Sequence, residues 1–174
     1  MSKRARVSAI WREWLRPFLV VAIVLCSFRS AVADWNDVPS GSMIPTILEG
    51  DRIFVDRRAY DLRVPFTEHR LATYADPRRG DIIVFTSPVD GRLLVKRVAG
   101  VPGDEVRDIH GYPRHVPDGH YFVTGDNQAN SFDSRYWGFV ARERILGRAT
   151  AVVFSLDHEH HWQPRWGRFL KKLS

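Results

Sequence analysis

Hydrophobic and polar positions follow three regimes along this chain. The first has no alternation. PFLVVAIVLCSF, from Pro17 to Phe28, is apolar apart from Ser27, and RSAVADW follows it. As a helix, Pro17 to Ala33 would reach roughly 26 Å at about 1.5 Å per residue. That is slightly short of a bilayer core of about 30 Å. Modest thinning of the bilayer, or extension back through Ile10, Trp11 and Trp14, closes the gap. Trp11 and Trp14 precede the run and Trp35 follows it, the pattern of aromatic belts at two interfaces. Arg29 would snorkel near one end. The segment therefore predicts one transmembrane helix. A cleavable secretory leader is the rival, because Ala31-Val32-Ala33 is a small-x-small site behind a basic start and a short apolar run. Both readings keep the N-terminus in the cytoplasm and the rest outside. A buried soluble helix would need a repeating polar face, and none is present.

The second regime starts at Asp51. DRIFVD, GDIIVF, RLLVKRVAG, HYFVTGD and GRATAVVFSLD are short, rich in β-branched and aromatic residues, and bounded by Gly, Pro or Asp. No long 3.6-residue period occurs between residues 50 and 155, so the body is expected to be mostly β, a barrel or folded sheet. Arg57 to Gly80 is polar and contains prolines, and reads as an excursion or loop. The third regime is the tail. Trp162, Trp166, Phe169 and Leu170 fall at helical spacing and Pro164 would open a helix, although Gly167 weakens it. This predicts an amphipathic helix, either at a membrane interface or packed on the β domain. The expected organisation is a basic cytoplasmic stretch (1–16), an anchor (17–34), a β domain (35–157) and a basic aromatic tail (158–174).

Composition narrows the picture. The 174 residues are 44% hydrophobic and 26% charged, enough for a packed core. The formal charge of +6 sits at the two ends. Lys3, Arg4, Arg6, Arg12 and Arg16 crowd one end, and Arg165, Arg168, Lys171 and Lys172 the other. The middle is mixed in sign, which argues against a nucleic-acid-binding face. The single cysteine, Cys26, excludes an internal disulfide and a cysteine metal site. The one histidine cluster, Asp157 to His161, reads as a solvated tail. No metal or cofactor is expected.

Three stretches carry candidate chemistry. In PSGSM, a glycine between Ser40 and Ser42 allows a sharp turn and close approach of another backbone. Ser42 would sit at the bend, its own N–H and the Ser40 hydroxyl near enough to face an oxyanion. A plain turn explains the same residues, and the stretch is not a G-x-S-x-G elbow. In LLVKRVAGVPGD, Lys96 shares a strand face with Leu94 and Val98. A lysine on such a face either snorkels out or loses its proton, and a neutral amine suits a general base. Arg97 cannot serve in that role, since guanidinium stays protonated. In GDNQANSFDSRYWG, Asp, Asn and Ser side chains hold a loop by bonding nearby backbone. Asp126, Asp133 and Arg135 are expected to form an ion-pair network there, with Ser131 orienting a neighbour. The oxygen spacing does not match an EF-hand. Together the stretches supply a serine nucleophile and an amine base, a known variant of triad logic.

PSGSMIPTI, RGDIIVF, KRVAGVPGDEV and GDNQANSFDSRYWGFV, in that order behind an apolar segment, resemble the successive boxes of bacterial type I signal peptidases, over about residues 17 to 156. The resemblance implies a β domain of folded antiparallel sheets on the outer side of the cytoplasmic membrane; the single-pass anchor expected here is itself a departure from the family, since only one transmembrane segment is evident. It implies endopeptidase removal of signal peptides from exported preproteins, with the lipid bilayer as second partner. Ser42 would be the nucleophile and Lys96 the general base. Ser40 and the Ser42 N–H would form the oxyanion hole, Ser131 would orient the lysine, and Asp133, Arg135 and Asp126 would support the site. The chain departs from the family in having Gln128-Ala129 where Arg-Asp is frequent, in lacking the cysteine pair, and in its small insert. Such departures suit a relative that matures one particular secreted or conjugation-linked protein. A non-catalytic envelope module on the same fold is a further alternative. The self-cleaving repressors that share Ser/Lys chemistry carry a DNA-binding domain, and no helix-turn-helix pattern is present.

Overall fold

The structure is a computed structural model; it describes residues 16, 18–21, 33–64, 69–157 and 162–173. Most of the expected anchor, 17–34, lies outside these residues. Residues 18–21 are helical, with Phe18, Leu19, Val20 and Val21 all exposed. Among the described residues no helix is long and apolar enough to cross a membrane.

The body is mostly β. In chain order the strands are β1 (Ala33–Asp37), β2 (Asp51–Asp56), β3 (Asp61–Arg63), β4 (Arg70–Thr73), β5 (Ile82–Thr86), β6 (Leu93–Gly100), β7 (Glu105–Arg107), β8 (Pro113–His115), β9 (His120–Thr124), β10 (Val140–Ala141), β11 (Ile145–Asp157), β12 (Gln163–Pro164) and β13 (Lys171–Lys172). One four-residue helix, α1 (Ser134–Trp137), precedes β10. The main sheet is antiparallel in the order β1-β2-β11-β5-β6-β9-β10, and β12 and β13 also pair with β11. Every strand expected from the period-two pattern is present. Because β1 begins at Ala33, the last two positions of the expected anchor belong instead to the sheet, with Ala33 opposite Asp56.

Two apolar clusters show why the sheet folds over. Ile82 and Val84 of β5 pack with Val38, Met43, Ile47, Ile53, Val55 and Val152. Ile83 and Phe85 point the other way, onto Val98, Tyr121, Val123, Val140 and Ile145. Successive side chains of a strand face opposite sides, so a strand buried on both faces reads as an unbroken apolar run. That is the origin of IIVF. β11 makes the bend. Its first residues pair with β5 and its later ones with β2, with register shifts at Ile145/Gly147, Ala149/Ala151 and Val152/Phe154. Bulges of this kind increase bend and twist, so one long strand serves both halves.

The excursion at 57–80 contains the β3–β4 hairpin, a pairing that the polar sequence did not reveal. Charge, rather than apolar burial, fastens it. Arg142 donates to both oxygens of Asp61 at 3.1 and 2.8 Å and to Asp76 at 2.9 Å. Arg70 pairs with Asp61 at 3.2 Å, and Thr73 donates to it at 3.0 Å.

The tail is not the amphipathic helix that its spacing predicts. Residues 162–173 run as β12, a single 3₁₀ turn (Trp166–Arg168) and β13. Trp162 and Leu170 take left-handed φ of 61° and 53°, which no helix accommodates. Tertiary contacts outweigh the local spacing. Arg168 donates to the fully buried Asp51 at 3.0 and 2.5 Å and to Thr46 O at 3.0 Å. Phe169 packs edge-on against Phe154 at 4.9 Å, and Leu173 enters the core. Trp162, Trp166 and Leu170 remain exposed.

Candidate active site

The serine turn is held from behind. After β1 the chain enters a single 3₁₀ turn, Gly41–Met43, whose three residues are buried. Met43 fills the core beneath it, and Ile47 N–H donates to Met43 O at 2.9 Å. A Cβ on Gly41 would lie 2.9 Å from Ile44 Cδ1 and 3.2 Å from Glu49 Oε1, the movable ends of two side chains. The first N–H groups of a helical turn have no partner within it. Ser42 contributes such an N–H, and Ser40 Oγ lies 3.4 Å from Ser42 Oγ. The two expected oxyanion donors are therefore together at the mouth of the turn.

Lys96 arrives from β6. Its strand alternates so that Lys96, Val98 and Gly100 point inward. The side chain is only 3% exposed, and Nζ stands 2.5 Å from Ser42 Oγ. Opposite Lys96 in the ladder is Ile83. Burial pushes the amine below its ordinary range, and the more distant charges of Asp133 and Asp126 partly oppose this. No carboxylate pairs directly with Lys96 among the described residues. Of the two arrangements open to a lysine on this face, the structure shows the buried one: the side chain does not snorkel out to solvent.

The loop after β9 closes the site. Asn127 N–H donates to Ser42 O at 3.0 Å, and Asn127 Nδ2 to Gly41 O at 3.2 Å. Asp133 is fully buried; it accepts from Arg135 Nε at 2.9 Å, Arg135 Nη2 at 3.0 Å and Gly125 N–H at 3.0 Å. Burial alone would raise its carboxyl, but these bonds outweigh it and hold the group below the usual range.

Two expectations for this loop change. Asp126 does not join the Asp133–Arg135 pair. Its partners are Arg97, through Nε at 2.8 Å and Nη2 at 2.9 Å, and the Thr46 hydroxyl at 2.5 Å. The ladder explains this: Arg97 lies opposite Thr124, two residues before Asp126. Ser131 Oγ is buried in the same region and makes no hydrogen bond to Lys96; its polar neighbour is Asp133. It lies near enough to Asp133 to help keep that carboxyl ionised. Thr46, Asn127 and Gly125 are site residues that sequence reasoning missed, and Arg97 holds Asp126 from outside the cluster. Only Gly125 left a signal, as the glycine opening the polar loop.

A groove of about 320 Å³ opens in front of Ser42, lined by Asn36–Ser40, Met43, Val84 and Arg92–Lys96. One edge of β6 pairs with β5 from Leu93 onward, whereas on the other edge β9 pairing begins only at Arg97. The Leu93–Lys96 edge thus faces the groove without a strand partner among the described residues. The Asp157–His161 cluster falls largely outside the described residues, which contain no group of three metal-capable side chains.

The chain matches the family model described as signal peptidase, peptidase S26, over residues 11–111 and 107–154. It is 36% identical over 168 residues to a probable signal peptidase I-2 of Synechocystis sp., covering 80% of this chain and 71% of that protein. It is 31% identical over 205 residues to signal peptidase I of Pseudomonas fluorescens, covering 82% and 72%. A crystal structure of a signal peptidase I from Enterococcus faecalis V583 shares 32% identity over 45% of this chain and all of that one, with a TM-score of 0.38. With the family model spanning most of the sequence and the groove, serine turn and buried lysine joined in one site, the chain belongs to the signal peptidase family, peptidase S26.

Proposed function

We propose that this serine endopeptidase of the signal peptidase family removes signal peptides with Ser42 as nucleophile and Lys96 as general base. One observation carries the assignment: a lysine 3% exposed, without a paired carboxylate among the described residues, whose Nζ is 2.5 Å from a serine hydroxyl. The free amine takes the Ser42 proton as Oγ attacks the scissile carbonyl carbon. The carbonyl oxygen becomes an oxyanion facing the Ser42 N–H and the Ser40 hydroxyl. The C–N bond then breaks, and the Lys96 ammonium returns its proton to the leaving amine. Water, deprotonated by the same amine, attacks the acyl-enzyme; C–O cleavage, with the Lys96 ammonium returning its proton to Oγ, restores Ser42 and releases the new carboxylic acid, which ionises in solvent.

The groove supports a peptide substrate. An extended segment would add to the open Leu93–Lys96 edge, its main chain bonding the strand. Shallow apolar pockets near Met43, Val84 and Leu94 would accept small side chains and reject large ones. This fits exported preproteins with small residues before the cut. In this reading the anchor spans the cytoplasmic membrane once, with the β domain outside. The exposed apolar turn at 18–21 and the cationic N-terminus support it. Sharing one surface with a membrane-embedded substrate would raise their effective concentration.

The test uses Ser42→Ala and Lys96→Ala in the full chain, with a preprotein carrying an Ala-x-Ala site. Cleavage is followed by mass spectrometry of the products. Both substitutions should lower turnover by at least about 10³-fold while melting stays cooperative. In the parent, kcat/KM should rise with pH through a limb below the ordinary lysine range of about 10.4, since the amine must be free to act. Full activity in either variant overturns the assignment.

A further inference from the structure

The carboxylates acting on Lys96 pose a problem that the fold has to solve. A neutral amine 3% exposed beside two aspartates would ordinarily take a proton and form an ion pair. The charged groups acting on it are Asp133 and Asp126, both from the loop after β9. Two further neighbours carry no charge: the Ser42 hydroxyl from the 3₁₀ turn and Ile83 across the β5 ladder. Asp133 is committed to Arg135 and the Gly125 N–H. Asp126 has no such backbone clamp, and its partner is the residue next to Lys96 itself.

We propose that Arg97 is a positioning residue, whose two-pronged grip on Asp126 keeps that carboxylate on the nucleophile turn and denies Lys96 a counter-ion. This inference rests on the Ser42/Lys96 reading and deepens it. Neighbouring residues of a strand point to opposite faces, so Arg97 does not enter the catalytic cluster with Lys96. It reaches Asp126 through Nε and Nη2 at 2.8 and 2.9 Å, while Nη1 donates to Gly80 O at 2.8 Å. The guanidinium is thus fixed from two directions, as a fork can be and a point charge cannot. Thr46 donates to the same carboxylate at 2.5 Å, tying it to the segment that carries Ser42. Burial would raise the Asp126 carboxyl, but Arg97 and Thr46 together hold it below the usual range. The group therefore stays ionised near Lys96, and the adjacent cation offsets part of its field. Without Arg97 an unneutralised carboxylate would favour the ammonium form. With Asp126 neutral instead, an unpaired guanidinium would favour the free amine. The two single substitutions act on one pair with opposite sign.

The experiment measures kcat/KM against pH for the full chain in detergent, on a short fluorogenic peptide with Ala-x-Ala before the scissile bond. Arg97→Met should move the acid limb alkaline by about one pH unit, about a tenfold loss on the limb, with the high-pH plateau kept. Asp126→Asn should move it in the acid direction. The double variant, net neutral like the native pair, should return the limb to its original place. A loss equal at every pH in Arg97→Met with a stationary limb, or a shift that persists in the double variant, overturns the proposal. Should Arg97→Met fail to fold, Asp126→Asn decides, and a limb that stays put or moves alkaline is the negative result. A parent enzyme with no limb refutes the Ser/Lys assignment itself, and a limb that ignores both substitutions refutes only the role of Arg97.

Discussion

Gly125→Ala adds one methyl group and tests whether the loop after β9 sets the geometry of Ser42. A Cβ at Gly125 would fall under 3.0 Å from both Ser42 O and Ser131 Oγ. Ordinary contact begins at 3.4 Å, so the atoms must part by up to about 1 Å. Ser131 Oγ can rotate away. Ser42 O cannot, because it is backbone and already accepts from Asn127 N–H at 3.0 Å. Ser131 Cβ, at 2.7 Å, cannot move without its backbone either, so the strain is shared between the 3₁₀ turn that aims Ser42 at Lys96 and the loop at Ser131. Overpacking of this sort costs about 1–3 kcal/mol of stability. A displacement near 1 Å between reacting groups costs about 10²-fold in rate. The assay is kcat/KM on an Ala-x-Ala peptide beside urea denaturation of the same preparation. The expected result is a roughly hundredfold slower enzyme that is still folded and loses no more than about 3 kcal/mol. Unchanged activity with unchanged stability would show that the loop does not constrain Ser42, the proposed nucleophile.

Three further outcomes follow from the buried charges. Lys96→Met replaces a desolvated amine by an apolar chain of similar length; turnover should vanish while the melting temperature holds or rises, and a loss above about 1 kcal/mol would contradict the cost assigned to burying that amine. Arg142→Met strands Asp61, 2% exposed, without its main cation, and should destabilise by about 3–5 kcal/mol in urea titration, releasing the β3–β4 hairpin first to proteolysis. For Asp61, Asp126 and Asp133, burial raises the carboxyl, but the bonds and charges of Arg142, Arg97 and Arg135 outweigh it and lower all three. Their stabilisation is complete above the unfolded carboxyl value of about 3.9 and disappears as pH falls through the lower folded values. Denaturation midpoints should hold from neutrality to about pH 5 and drop steeply below pH 4; a flat profile to pH 3 would contradict this.

The residues proposed to carry the chemistry were legible in the linear order. Ser42 and Lys96 stand out because each sits in a locally improbable setting, a hydroxyl at a glycine bend and an ammonium in an apolar strand. The strands were readable because the side-chain period of two is local. The Arg57–Gly80 hairpin was not, because its partners are charges such as Arg142, far along the chain and without periodicity. The tail misled for a related reason. Helical spacing of Trp162, Trp166, Phe169 and Leu170 is a local signal, whereas Arg168 gripping buried Asp51 is a contact between the tail and β2, far apart in the chain.

The amino-acid order alone thus determined which residues could react and which segments could pair, since both depend on residue type and near neighbours. Tertiary structure decided the partnerships: Asp126 with Arg97 instead of Arg135, Ser131 near Asp133 but unbonded to Lys96, and Nζ within reach of Oγ. Hydrogen bonds and ion pairs act over a few ångströms in space, whatever the separation in sequence. Only the folded register of β6 against β9, with the loop that follows, brings those groups to that range.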